Sequence, residues 1–181
     1  MSSEVQTSYL VINALGADRT GLVSDISKVI TESGCNIEES RMSVLGEEFA
    51  VILLAAGKWN AVAKLENSLE ALEQRKDISV VCRRTNPRKP TSDLLPYAVD
   101  VVAMDQVGIV SHLASFFAQR GINIEEMATN RYSAAHTGTP MFAVHISVGI
   151  PAATHIAALR DEFLDFCDRL NLDSVIEPIK G

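Results

Sequence analysis

Residues 18–39 read DRTGLVSDISKVITESGCNIEE, and residues 105–126 read DQVGIVSHLASFFAQRGINIEE. At a shift of 87 positions the two stretches align without a gap, and 9 of the 22 pairs are identical. Asp18/Asp105, Gly21/Gly108, Val23/Val110, Ser24/Ser111 and Gly34/Gly121 are shared, as is the whole run Asn36–Glu39 with Asn123–Glu126. A repeat of this length marks a duplicated unit and decides the architecture before any single element is assigned. Apolar positions can drift after a duplication, whereas a polar residue kept in both copies needs a reason. Asp, Gly and Asn are kept, at the two ends of one predicted helix.

Working outward, each copy reads strand, helix, strand, strand, helix, strand. In copy one the apolar run Tyr9–Leu15 leads through a turn into a helix burying Leu22, Ile26, Val29 and Ile30. Gly34 stops it, because only glycine takes a left-handed backbone cheaply. Strands follow at Asn36–Leu45 and Glu48–Ala56, joined at Gly46. A helix from Trp59 to Arg75 with Val62, Leu65, Leu69 and Leu72 on one stripe precedes the strand Ile78–Arg83. Copy two repeats the order: strand Tyr97–Ala103, a helix with Ile109, Leu113, Phe116 and Phe117, the stop Gly121, and strands Ile122–Tyr132 and Pro140–Val148. A helix over Ala152–Leu170 carries Ile156, Leu159, Phe163, Phe166 and Leu170, and Ser174–Ile179 ends the unit. The expected fold class is α+β: two tandem ferredoxin-like βαββαβ domains, antiparallel sheets with helices on one face. Their expected limits are 1–84 and 97–181, around a Pro-rich linker at 85–96.

The bulk numbers fit two small domains. The chain has 181 residues, 47% hydrophobic and 22% charged, so it is globular rather than disordered. Its formal net charge of −7 argues against direct nucleic-acid binding, though not against an acidic protein that grips a nucleic-acid-binding partner. No segment is apolar enough to span a bilayer, and Met1–Thr7 has no leader pattern. Cys35, Cys82 and Cys167 are odd in number and far apart, with neither metal-ligand nor disulfide spacing, so a reducing cytoplasm is the expected setting.

The kept polar residues suggest a pocket. A helix N-terminus with unpaired amides is an anion site, and Gly21 removes the side chain that would block a small carboxylate. Asp18 can take the ammonium of the same molecule, and Asn36 offers both a donor and an acceptor. A free α-amino acid fits that description. The competing reading is structural: Asp18 caps the helix, Gly21 makes the turn, and Asn36 satisfies the bend after Gly34.

At these residues the chain resembles the ACT domains, amino-acid-binding regulatory modules whose signature is Asp-x-x-Gly-Leu/Ile-Val, a helix, then Gly-x-Asn-Ile. The resemblance covers about Tyr9–Arg83 and Tyr97–Ile179. The tandem arrangement, and the run Glu38–Leu54 in particular, is similar to the glycine cleavage system transcriptional repressor family. That resemblance implies a cytoplasmic, non-enzymatic regulator that binds no DNA itself, acts on a DNA-bound activator protein, and is relieved by glycine. It also implies ligand contacts at Asp18, Gly21, Leu22, Val23, Asn36 and Ile37, and at Asp105, Gly108, Ile109, Val110, Asn123 and Ile124. Thr20 and Val107 depart from the pattern, since many ACT loops place Pro before the glycine. An amino-acid-responsive regulator of a metabolic enzyme, or an ACT module without a ligand, are the alternatives.

Other classes fare worse. An acylphosphatase needs an Arg-bearing anion loop after the first strand, and neither copy has one. RNA recognition by an open sheet stacks bases on aromatics, which form only 6% of this chain. His112, His136, His145 and His155 lack ligand spacing, so no metal or cofactor is expected; His145 alternates with Val144 and Ile146 and should face away from the core. Within Glu38-Glu39 and Glu125-Glu126 the two side chains should diverge on a strand, which excludes a shared acid–base pair. Every residue of Phe49–Leu54 is apolar, so the sheet of copy one is expected to be covered on both faces, with a second copy of the chain as the cover in a homodimer. Phe142–Val148 alternates, which predicts a more open sheet in copy two.

Overall fold

The computed structural model describes residues 7–89 and 93–179. Met1–Gln6, most of the stretch read for a leader, and Pro90–Ser92 of the expected linker lie outside the described residues. The chain divides into two compact units, Met1–Lys89 and Pro90–Gly181.

Unit 1 runs β1 (Thr7–Ala17), α1 (Leu22–Glu32), β2 (Asn36–Leu45), β3 (Glu48–Lys58), α2 (Trp59–Lys76) and β4 (Ile78–Thr85). Unit 2 runs β5 (Leu94–Met104), α3 (Ile109–Ala118), β6 (Asn123–Ser133), β7 (Pro140–Pro151), α4 (Ile156–Arg169) and β8 (Asp173–Pro178). The sheets have the strand orders β2-β3-β1-β4 and β6-β7-β5-β8, antiparallel throughout. This is the ferredoxin-like βαββαβ sandwich twice over, as the repeat predicts. Strands β4 and β5 reach into the stretch expected as linker, at Thr85 and at Leu94–Pro96.

The stripes explain the layers. Leu22, Ile26 and Ile30 of α1, with Val62, Leu65, Leu69 and Leu72 of α2, form one buried cluster with Leu10, Ile12 and Ala14 of β1 and Phe49, Val51, Leu53 and Ala55 of β3. Val29 joins it only partly buried. In unit 2, Phe116, Phe117 and Phe163 pack with ring centroids 5.1–5.4 Å apart, at the edge-on and tilted angles that aromatic quadrupoles favour. Gly34 (φ 84°) and Gly121 (φ 67°) end α1 and α3 as expected, and the amides of Cys35 and Ile122 reach back to the carbonyls of Ile30 and Phe117.

Two details differ from the sequence reading. Helix α4 starts at Ile156 rather than Ala152, because β7 keeps pairing with β5 as far as Leu94–Pro151. Residues 152–155 are needed to turn the chain, and His155 then caps the helix, its Nδ1 accepting from the Ala158 amide at 3.2 Å. Second, the edge strands carry a bulge between Ile37 and Glu39, and again between Ile124 and Glu126, so the simple alternation assumed for the glutamate pairs is broken there. On the far face of the first sheet Ile52 is 51% and Val81 59% exposed; the cover expected there is a second copy of the chain. In the second sheet that face carries His145, turned from the core as expected, with Nδ1 2.7 Å from Asp100 Oδ1.

Candidate functional site

Each first strand ends in a loop that its hairpin holds in place: the Asp18 amide donates to Glu47 O and the Asp105 amide to Pro140 O, both at 2.9 Å. The loop then turns through a left-handed glycine, Gly21 at φ 90° and Gly108 at φ 97°, which is the N-cap of α1 or α3. A side chain there would be strained, so glycine is required by the backbone itself. Gly21 and Gly108 have no side chain to cap with, and among the described residues no side-chain cap bond to either helix start is seen. The structural alternative for Asp18 and Asp105 is therefore corrected: neither carboxylate spends itself on the helix end. By position, the amides of Leu22 and Val23 lack carbonyl partners one turn back, and the Leu22 amide has only a 3.5 Å contact to Arg19 O.

The trio of polar residues does not converge within a unit. Asn36 lies opposite Ala56, which lies opposite Tyr9, whereas Asp18 follows Ala17 at the other end of the same strand. Eight residues of strand separate those levels, about 27 Å. The reason is α1 itself, which carries the chain back along the sheet from Asp18 to Asn36. Unit 2 is the same, with Asn123 opposite Gly149 and Gly149 opposite Pro96. Leu22 and Ile109 are core residues, so only their amides are available to a ligand. Val23 and Ile37 do meet: with Ile26, Ser27, Ser40, Met42 and the β3 side chains Phe49, Val51 and Leu53 they line a cavity of about 60 Å3 between α1 and the sheet. Val110 and Ile124 hold the corresponding places in unit 2.

The charges around the two loops are arranged differently. In unit 1 the Asp18 carboxylate is exposed and has no cation against it among the described residues. One turn along, Asp25 accepts from Lys76 (3.3 Å) and Arg19 (3.4 Å). The hydrogen bond from Lys76, more than the one from Arg19, holds its carboxyl below the ordinary aspartate range. In unit 2 Arg131 Nε donates to Asp105 Oδ2 at 2.8 Å. The sequence reading missed Arg131, although the repeat offered a signal: at the same shift the position is Val44. Both residues pair with the phenylalanine of the next strand, Val44 with Phe49 and Arg131 with Phe142, so both stand on the helix side of their sheets. Among the described residues no group of three metal-ligating side chains occurs, and no helix is long and apolar enough to cross a membrane.

The comparisons agree with this geometry. A model described as an ACT domain matches residues 8–83. The glycine cleavage system transcriptional repressor of Escherichia coli is 34% identical over 173 residues, covering 94% of this chain and 90% of the relative. A solved protein from Galdieria sulphuraria superposes over 97% of this chain and 100% of its own, with TM-score 0.79 and 26% identity. A solved protein assigned to the glycine cleavage system transcriptional repressors covers 97% and 99%, with TM-score 0.71 and 28% identity. The chain is a tandem ACT-domain protein and belongs to the family of glycine cleavage system transcriptional repressors.

Proposed function

We propose that this chain senses a small free amino acid, glycine first among them, and thereby modulates transcription of glycine-cleavage genes through a DNA-bound activator protein. The observation that carries the reading is the loop before α1. There a left-handed glycine with open space above it, amides without helical partners and an exposed carboxylate with no cation against it among the described residues stand together. The helix end suits the ligand's carboxylate and Asp18 its ammonium. Membership of a transcriptional repressor family supports the regulatory output. The acidic surface, with a net charge of −7, favours a protein partner over direct contact with DNA.

Asn36 and Asn123 have no part in the site of their own unit. The site comprises Asp18, Gly21 and the amides of Leu22 and Val23, with Val23 and Ile37 around the small apolar cavity beside it. The uncovered apolar face of the first sheet suits a homodimer, since a second copy would remove Ile52 and Val81 from water.

Calorimetric titration with glycine, L-alanine and L-serine, followed by pull-down of the purified activator with and without the ligand that binds, tests the whole reading. Saturable binding that weakens the complex is expected. A wild-type chain that binds none of the three at millimolar concentration removes the sensor.

A further inference from the structure

Of the two sites that the duplication made, we infer that only the one in unit 1 accepts the effector, and that Arg131 occupies the ammonium position in unit 2. The inference rests on the proposed role of Asp18, and three separate differences carry it.

The first is charge. Asp105 already holds a cation, Arg131 at 2.8 Å, where unit 1 has Val44 at the repeat position and, among the described residues, no cation on Asp18. An incoming ammonium at Asp105 would exchange one charge-assisted hydrogen bond for another rather than add one, and the worth of such a bond is about ten- to a hundredfold in affinity. Arg131 is 67% exposed, so its ion pair adds little stability to the fold. Its effect is occupation.

The second is space above the glycine. A Cβ built on Gly21 meets nothing within 4 Å, whereas one on Gly108 meets the His112 ring at 3.3 Å. His112 stands where unit 1 has Asp25, whose carboxylate is drawn aside by Arg19 and Lys76. A carboxylate approaching the amides of α3 has to pass that imidazole.

The third is the cavity. The roughly 60 Å3 space in unit 1 is bordered by Ser40, which pairs with Leu53. Its counterpart Met127 pairs with Ile146 and packs against the core of unit 2. A flexible thioether is well suited to fill such a gap. Three substitutions at three repeat positions thus withdraw the ammonium receptor, the approach and the side-chain space.

Titration of the full chain with glycine and L-alanine decides the matter. One molecule per chain is expected, lost in Asp18→Ala and retained within twofold in Asp105→Ala. The variant Arg131→Val/His112→Asp/Met127→Ser, checked for an unchanged fold by circular dichroism and melting, should bind two. Two equivalent molecules in the wild type, loss of binding in Asp105→Ala, or a folded triple variant that still binds one would overturn the inference while leaving the sensor intact. A wild type that binds neither amino acid overturns both.

Discussion

The two units share every element and almost no surface character. Unit 1 has a mainly aliphatic core, with Phe49 its aromatic member, and exposed apolar side chains Leu15, Ile52 and Val81 on the far face of its sheet. Unit 2 has a core of phenylalanines packed edge-on and tilted, and a sheet face bearing the His145–Asp100 pair. At the helix-start loops the contrast reverses: the charge left open in unit 1 is satisfied internally in unit 2. Topology was fixed by what both copies must do, which is bury two helices on one sheet. The surfaces were free to diverge, and they diverged toward a unit that offers groups to others and a unit that completes itself.

The largest effect expected from probing this contrast lies in the core of unit 2. Phe117→Ala removes a fully buried ring held against Phe116 and Phe163, and should cost about 3–5 kcal/mol in urea unfolding. If unit 1 keeps its own transition while that of unit 2 collapses, the units are independent in stability; one shared transition would show that they are not.

Next comes the loop before α1. Asp18→Ala should lose about 1.5–3 kcal/mol of glycine binding, roughly ten- to a hundredfold, in calorimetry. Its melting temperature should hardly move, because Asp18 caps nothing. A large drop in stability with unchanged affinity would turn the loop back into a purely structural turn.

Ser40→Met copies the packing of unit 2 into unit 1. Filling part of a cavity of about 60 Å3 should raise the stability of unit 1 by about 1 kcal/mol and weaken effector binding several-fold. A gain in both quantities would separate the cavity from the binding site. For the sheet face, Ile52→Lys should weaken the proposed homodimer in light scattering by roughly three- to tenfold in dissociation constant, since half of one aliphatic side chain is at stake.

The last effect, confined to alkaline pH, concerns Cys82 on β4. Burial, reinforced by Glu66 and Glu73, pushes its thiol up to about 11. The folded state prefers the protonated thiol, so this contribution is complete below the ordinary cysteine value of 9.0 and fades as pH climbs through about 11. Stability followed from pH 8 to 11 should fall less in Cys82→Ala than in wild type.

How much of this the sequence displayed depends on the kind of information each residue carries. Leu65 and Leu69, or Phe116 and Phe117, announce a helix face because burial recurs with the helical period. Gly34 and Gly121 announce its end because the backbone there needs glycine. Asp18 and Gly21 were visible as a pair because both copies keep them. Asn36 was equally visible but was joined to the wrong partners: sequence proximity across a helix says nothing of the helix's length in space. Arg131 lies twenty-six positions from Asp105, and only the fold brings the two together. The start of α4 was misplaced because Ala152 and Ala153 favour helix locally, while pairing with Leu94 holds the strand through Pro151.

The bulges at Glu38 and Glu125 have a consequence for solubility. An outer strand is a template for stray chains, and a straight one of ten residues invites open-ended fibril growth. By inserting one residue near the start of β2 and of β6, the chain breaks the hydrogen-bond rhythm that an intruding strand must follow. An incoming segment can match the ladder before the bulge or after it, but not through it. Deleting Glu38 would straighten that edge, and the cost would be read in aggregation during refolding before it was read in the native fold.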